Sequence, residues 1–162
     1  MLDIETDFHA WLLDQAAALR ARDYEGLDCD HLAEELEIIA ARERREMKDR
    51  LITLQEHLLK LKFEPTEVHR HNSWRNTIEE TRERIGDILE DSPGIFQGKP
   101  EEMLAETYRR ARKAAARSSG LPLSTFPEEC PWTYDEIIDE DFFRAQTKPN
   151  ISTTRSSHED CF

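Results

Sequence analysis

Apolar residues recur along this chain at steps of three and four, the spacing that places side chains on one face of an α-helix. Phe8, Trp11, Leu12, Gln15, Ala16 and Leu19 form the first such run. They predict a helix from about Asp7 to Arg22, capped by Thr6 or Asp7. The segment DYEGLD breaks the pattern, with Gly26 as its turn residue. A second helix opens at Asp28 or Asp30 and meets no Pro or Gly between Leu32 and Phe63, a rod of roughly 50 Å. Its main stripe is Leu32, Leu36, Ile39, Ala40, Met47, Leu51, Leu54, Leu58 and Leu61. A thinner row, Ile38, Ala41, Ile52, Leu59 and Phe63, lies about half a turn away. One surface cannot cover both rows. Either helices pack on two sides of the rod, or the second row meets another copy of the chain.

Pro65 disfavours helical geometry at Glu64 and ends the rod. Asn72 or Ser73 then caps a third helix with Trp74, Ile78, Ile85, Ile88 and Leu89 on its apolar face. The run DSPGIFQGKP is a break, and Pro100 suits the first position of a fourth helix. That helix carries Met103, Leu104, Tyr108, Ala111 and Ala115 on one side, with Gly120 as a left-handed terminator and Pro122 blocking continuation.

The stretch from Gly120 to Phe143 changes character, with three prolines and five aromatics. Prolines remove backbone donors, so LPLSTFPEECPW is neither regular helix nor central strand. Leu121, Leu123, Phe126 and Trp132 are too much apolar surface for a free loop, so the segment reads as an extended strap across helix grooves. Thr133 and Glu136 form a capping box that opens a short last helix, with Ile137, Ile138, Phe142 and Phe143 available for docking. The expected fold is therefore all-α: a helical bundle around one long central helix, closed by the strap and the short helix. Residues 1–143 form the single domain, and the polar residues 144–162 a flexible tail.

Charge narrows the setting. The net charge of −13 opposes nonspecific binding to nucleic acid or anionic lipid. No apolar run reaches the length of a membrane span. The acidic N-terminal sequence lacks a signal peptide's basic start and apolar centre, which predicts a cytoplasmic location. Cys29, Cys130 and Cys161 have no metal-finger or redox spacing and read as reduced thiols. The charge is also uneven: residues 1–37 hold 11 acids and 2 bases, while Arg109–Arg117 holds 5 bases and no acid. Bases in that position offset the partial negative charge of a helix C-terminus.

The segments FHAWLLDQAAALRARDYEGLD, HLAEELE, ERREMKDRLITLQEHLLKLKFEP, SWRNTIEETRERI and GLPLSTFPEECPWTYDEIIDEDFF, in that order, resemble a bacterial family known as domain of unknown function 29. The resemblance spans roughly residues 7–143. It implies a small helical protein and carries no established activity, so it transfers no catalytic residues. The family's usual HLLKW reads HLLKL here, with Leu61 in place of an aromatic ring.

Candidate chemistry is sparse. A two-metal carboxylate bundle needs paired Glu-x-x-His motifs, and none is present. His69 and His71, in HRH, are weak candidates for a metal, with solvent-exposed histidines in a polar connection as the plainer reading. Glu43 interrupts the main stripe, so either the stripe opens to water there or an arginine such as Arg50 or Arg82 meets it. His57, Lys60, Trp74, Arg75 and Arg82 can gather where the second and third helices meet. With Glu43, they form the candidate binding pocket for a small anion or acidic peptide, with Trp74 as stacking wall and Arg75 as planar anchor. The plainer reading keeps Trp74 in the core with solvated charges around it. Cys130 has Glu128 and Glu129 beside it, which oppose a thiolate nucleophile.

Three function classes follow. The first is a non-enzymatic protein-interaction module with a protein partner, self-association as a homodimer included, supported by the surplus apolar row. The second is a metal-dependent or other hydrolase using His and Glu of the second helix and the following loop. The third is an acidic regulator of a basic or nucleic-acid-binding protein. No cofactor is implied.

Overall fold

The computed structural model describes residues 4–64 and 68–142. Helices α1 (Phe8–Ala21), α2 (Cys29–Phe63), α3 (Val68–Asp91) and α4 (Pro100–Ser119) are followed by a 3-10 turn (Leu123–Thr125) and the short α5 (Tyr134–Ile138). The described residues contain no strand, and the fold is an all-α bundle with one long helix. Two compact units divide the chain, Met1–Glu46 and Met47–Phe162, and the boundary falls inside α2.

In the first unit, the Asp7 carboxylate caps α1 by accepting the Ala10 N–H at 2.9 Å. Arg22, at φ 57°, terminates it in the left-handed region. The turn to α2 is tight, and a Cβ on Gly26 would lie 2.7 Å from Asp23 Oδ2. Gln15, fully buried, holds the turn by accepting the Asp28 N–H (2.7 Å) and donating to the Gly26 carbonyl (3.4 Å). Trp11 is buried as expected, stacked on Phe8 and edge-on to His31. Its indole Nε1 is buried without an acceptor, a cost of about 1–3 kcal/mol. Much of the unit's other apolar surface is open. Leu13, Leu36 and Ile39 are 60%, 65% and 51% exposed, and Phe8, Leu12, Leu19, Tyr24 and Ile38 are exposed too.

The second unit has a continuous core. From α2 it takes Met47, Leu51, Leu54, Leu58 and Leu59; from α3, Ile78 and Ile85; from α4, Met103, Leu104, Tyr108 and Ala115. Phe126, Trp132 and Ile137 of the strap and α5 complete it. The strap thus lies in the core as expected, although Leu123 stays exposed. Gly120, at φ 73°, terminates α4, and Thr133 with Glu136 forms both bonds of the capping box on α5.

Two expectations are corrected. The rod is uninterrupted from Cys29 to Phe63, but apolar neighbours do not coat its whole length. Both apolar rows are covered beyond Met47, Leu59 fully and Ile52 and Phe63 partly, while Leu36, Ile38 and Ile39 stand exposed. Helix α3 also begins at Val68, several residues before the expected cap. Asn72 and Ser73 lie inside the helix, where the Ser73 carbonyl accepts the Thr77 hydroxyl, because nothing in VHRHNSW breaks it. Pro65, the side chain of His69, Phe143 and residues 144–162, on which the expected helix stop, metal candidate, last docking residue and tail fall, lie outside what is described.

Candidate functional site

Of the six expected pocket residues, Glu43 lies in the first unit and the other five in the second. The Glu43 side chain is exposed on α2. In the second unit α2 and α3 bring Lys60 and Trp74 together, with the ammonium 5.6 Å from the ring centroid. Lys60 is nearly buried and engaged at its tip: Nζ donates to Glu56 Oε1 (3.1 Å) and Ser118 Oγ (3.4 Å), and Ser118 donates to the same Glu56 oxygen (2.9 Å). This closed triad joins α2 to α4 and neutralises the charge that an anion would need. His71 lies within α3, half-buried, with its ring 5.5 Å from Trp74 rather than free in a connection.

Arg82, from α3, is buried and donates through Nε to the Ile137 carbonyl of α5 at 2.8 Å. Arg75 is half-buried on the same helix. His57 presents Nδ1 to the Thr53 carbonyl one turn back, at 2.9 Å. Burial holds its pKa below the usual 6.5 against that bond, so the ring is neutral at pH 7. Lys60, Arg82 and His57 each close a structural contact.

Sequence reasoning missed two constellations. Gln55 is fully buried, donating to the Leu104 carbonyl at 3.0 Å, while the Thr107 hydroxyl lies 3.0 Å from its Oε1. The signal was present: Gln55 stands four residues after Leu51, on the apolar stripe. The second is the set of donors that holds the strap. The Tyr108 hydroxyl donates to the Pro127 carbonyl (2.8 Å), and Arg112 donates to those of Phe126 (3.0 Å) and Leu123 (3.2 Å). A proline-rich strap lacks regular pairing for its carbonyls, and α4 supplies the donors from its side chains. One of the bases read as dipole compensation therefore has a structural task.

Two grooves flank these features. One, of about 590 Å³ between α2 and α3, has a mixed-charge lining that includes Arg50, Thr53, Thr81, Glu80, Arg84 and Asp87. The other, of about 410 Å³ between α4 and the strap, is lined by Leu104, Tyr108, Arg109, Cys130 and Trp132 among others. The Cys130 thiol donates to the Trp132 carbonyl at 3.3 Å, and burial pushes its pKa up, which opposes the thiolate a nucleophile requires. Burial, with Cys130 close by, likewise pushes Tyr108 up to about 12. Among the described residues, no three His, Cys, Asp or Glu side chains are gathered to hold a metal ion. Among the same residues, no helix is long and apolar enough to cross a membrane.

A family model described as Domain of unknown function DUF29 matches residues 4–143. The chain belongs to the DUF29 family. No curated protein and no solved structure matches this DUF29 chain. The DUF29 match runs through both compact units, so the open helices of the first and the packed core of the second belong to one family region.

Proposed function

We propose that this DUF29 protein is a non-enzymatic protein-interaction module whose N-terminal unit offers the docking surface. One observation carries the reading: Leu36 and Ile39 lie on α2 with most of their surface in water, while Met47, Leu51, Leu54 and Leu58 of the same helix are fully buried. Apolar side chains grouped on a helix face and left open are the usual mark of a binding surface. The engagement of Lys60, Arg82, His57 and Cys130 in structural bonds supports the same reading, since those were the groups with chemistry to offer.

The test is quantitative affinity purification of the full chain at native expression, against the double variant Leu36→Asp, Ile39→Asp. The reading expects specific proteins, further copies of the chain included, to disappear from the variant's eluate. Identical eluates would remove it.

A further inference from the structure

We propose that α2 pairs through its N-terminal half with the same segment of a second copy, antiparallel, about a two-fold axis between Ile39 and Ala40. This rests on the interaction-module reading and names the partner. The stretch is EELEIIAARERR, Glu34 to Arg45. At 3.6 residues per turn, Leu32, Leu36, Ile39 and Ala40 share one stripe. Leu32 is half-buried and the others are exposed. Glu35 and Arg42, seven residues apart, border the stripe on one side. Glu37 and Arg44, again seven apart, border it on the other.

That arrangement is complementary to itself when reversed. In an antiparallel two-fold pair each border faces the same border of the partner helix, read backwards. Glu35 then faces the second copy's Arg42 and Glu37 faces its Arg44, while Leu36, Ile39 and Ala40 interdigitate at the centre. The two borders centre one residue either side of the axis, an axial offset of roughly 3 Å between partners, within the reach of an arginine side chain. A parallel pair would instead set acids level with acids and bases level with bases.

Glu35 and Glu37 have Ile38, Ile39, Ala40 and Ala41 where an intrahelical basic partner would stand. Glu43 is the one charge on the stripe, and its level lies opposite Leu36 of the partner, toward the end of the seam. Residues 143–162 include few apolar side chains with which to cover this face. The seam spans roughly 20 Å, short for a helix pair, so the dimer forms in the micromolar range or above.

Sedimentation equilibrium of the full chain across the micromolar-to-millimolar range tests the pairing. The wild type shows a concentration-dependent dimer. Leu36→Asp, at an exposed helix position, leaves the far-UV circular dichroism unchanged and weakens association roughly 100-fold or more, since the two-fold axis counts the change twice. The paired reversal Glu35→Arg, Glu37→Arg also abolishes the dimer by setting base against base. Adding Arg42→Glu and Arg44→Glu to that variant restores it. A wild type monomeric throughout, or a dimer indifferent to the reversals, overturns the proposal. If the monomeric outcome came with eluates that differ in the purification above, another protein would occupy the face and the module reading would survive. Identical eluates would end both.

Discussion

The two halves of α2 differ little in sequence pattern and greatly in what surrounds them. Each carries an apolar stripe at helical spacing. From Met47 to Phe63 that stripe meets α3, α4 and the strap, and Met47, Leu51, Leu54 and Leu58 are wholly buried. From Cys29 to Glu46 the unit's burial centres on Trp11 and Gln15, and the stripe is left open. Periodicity reports that a helix has an apolar face; it does not report whether a partner is present to cover it. What distinguishes the halves is the supply of complementary surface. In the second unit three further elements bring apolar faces to α2, and in the first only the 14-residue α1 is available.

The comparison is open to attack at its strongest point first. Trp132→Ala removes a core side chain that joins the strap to α2 and α4, and should lower stability by about 3–5 kcal/mol in a urea titration. An unchanged midpoint would place the strap outside the cooperative core. Thr107→Val is the next step down. It takes away the hydroxyl beside Gln55 Oε1 in a fully buried setting, with an expected loss of about 1–3 kcal/mol. Gln55→Leu together with Thr107→Val should recover much of that loss, because both members of the polar pair are then gone.

Histidines sharpen the contrast with pH. His57, in the second unit, has its folded pKa held below the unfolded 6.5 by burial. Its unfolded form therefore binds the proton more readily, and stability falls as pH drops below about 6.5 toward the folded value. His31, in the first unit, is shifted the other way by its hydrogen bond and charge interaction with Asp28. Its contribution is present in full below 6.5 and is lost as pH rises through its raised folded value. Comparing denaturation midpoints at pH 5.5–8 for the parent and His57→Gln should show a flatter acid limb in the variant. A parallel profile would argue against His57 as the source.

The smallest effect belongs to the open face. Leu36→Ala in dilute protein should change the urea midpoint by no more than about 0.5 kcal/mol, because the side chain loses little buried surface. A large loss would mean that the face is covered within the monomer. Amide hydrogen exchange offers an independent measure, with amides from Met47 to Phe63 opening near the global stability and those from Cys29 to Glu46 by local fraying.

Much of this fold was legible in residues. Pro100 and Gly120 bracket α4, Asp7 caps α1, and Thr133 with Glu136 opens α5, because each is a local decision made by one or two side chains. The buried face of α4 was read from spacing alone, and Met103, Leu104, Tyr108, Ala111 and Ala115 are all buried. Decisions made over long separations were not legible. Nothing local in Arg112 tells that its guanidinium reaches Phe126 and Leu123, nor in Arg82 that its partner is Ile137. The surroundings of the candidate pocket residues were hidden for the same reason. Lys60 looked available as a cation, but Ser118, 58 residues further along, completes a triad that consumes it.

That separation has a consequence in time. Arg82 waits for a carbonyl 55 residues downstream, and Tyr108 for one 19 residues downstream. During synthesis α2, α3 and α4 are complete before the strap exists, and closing such distant loops is slow relative to helix formation. Until Trp132 and Ile137 arrive, the nascent chain carries an unroofed greasy trough, the interval in which a ribosome-associated chaperone would find it.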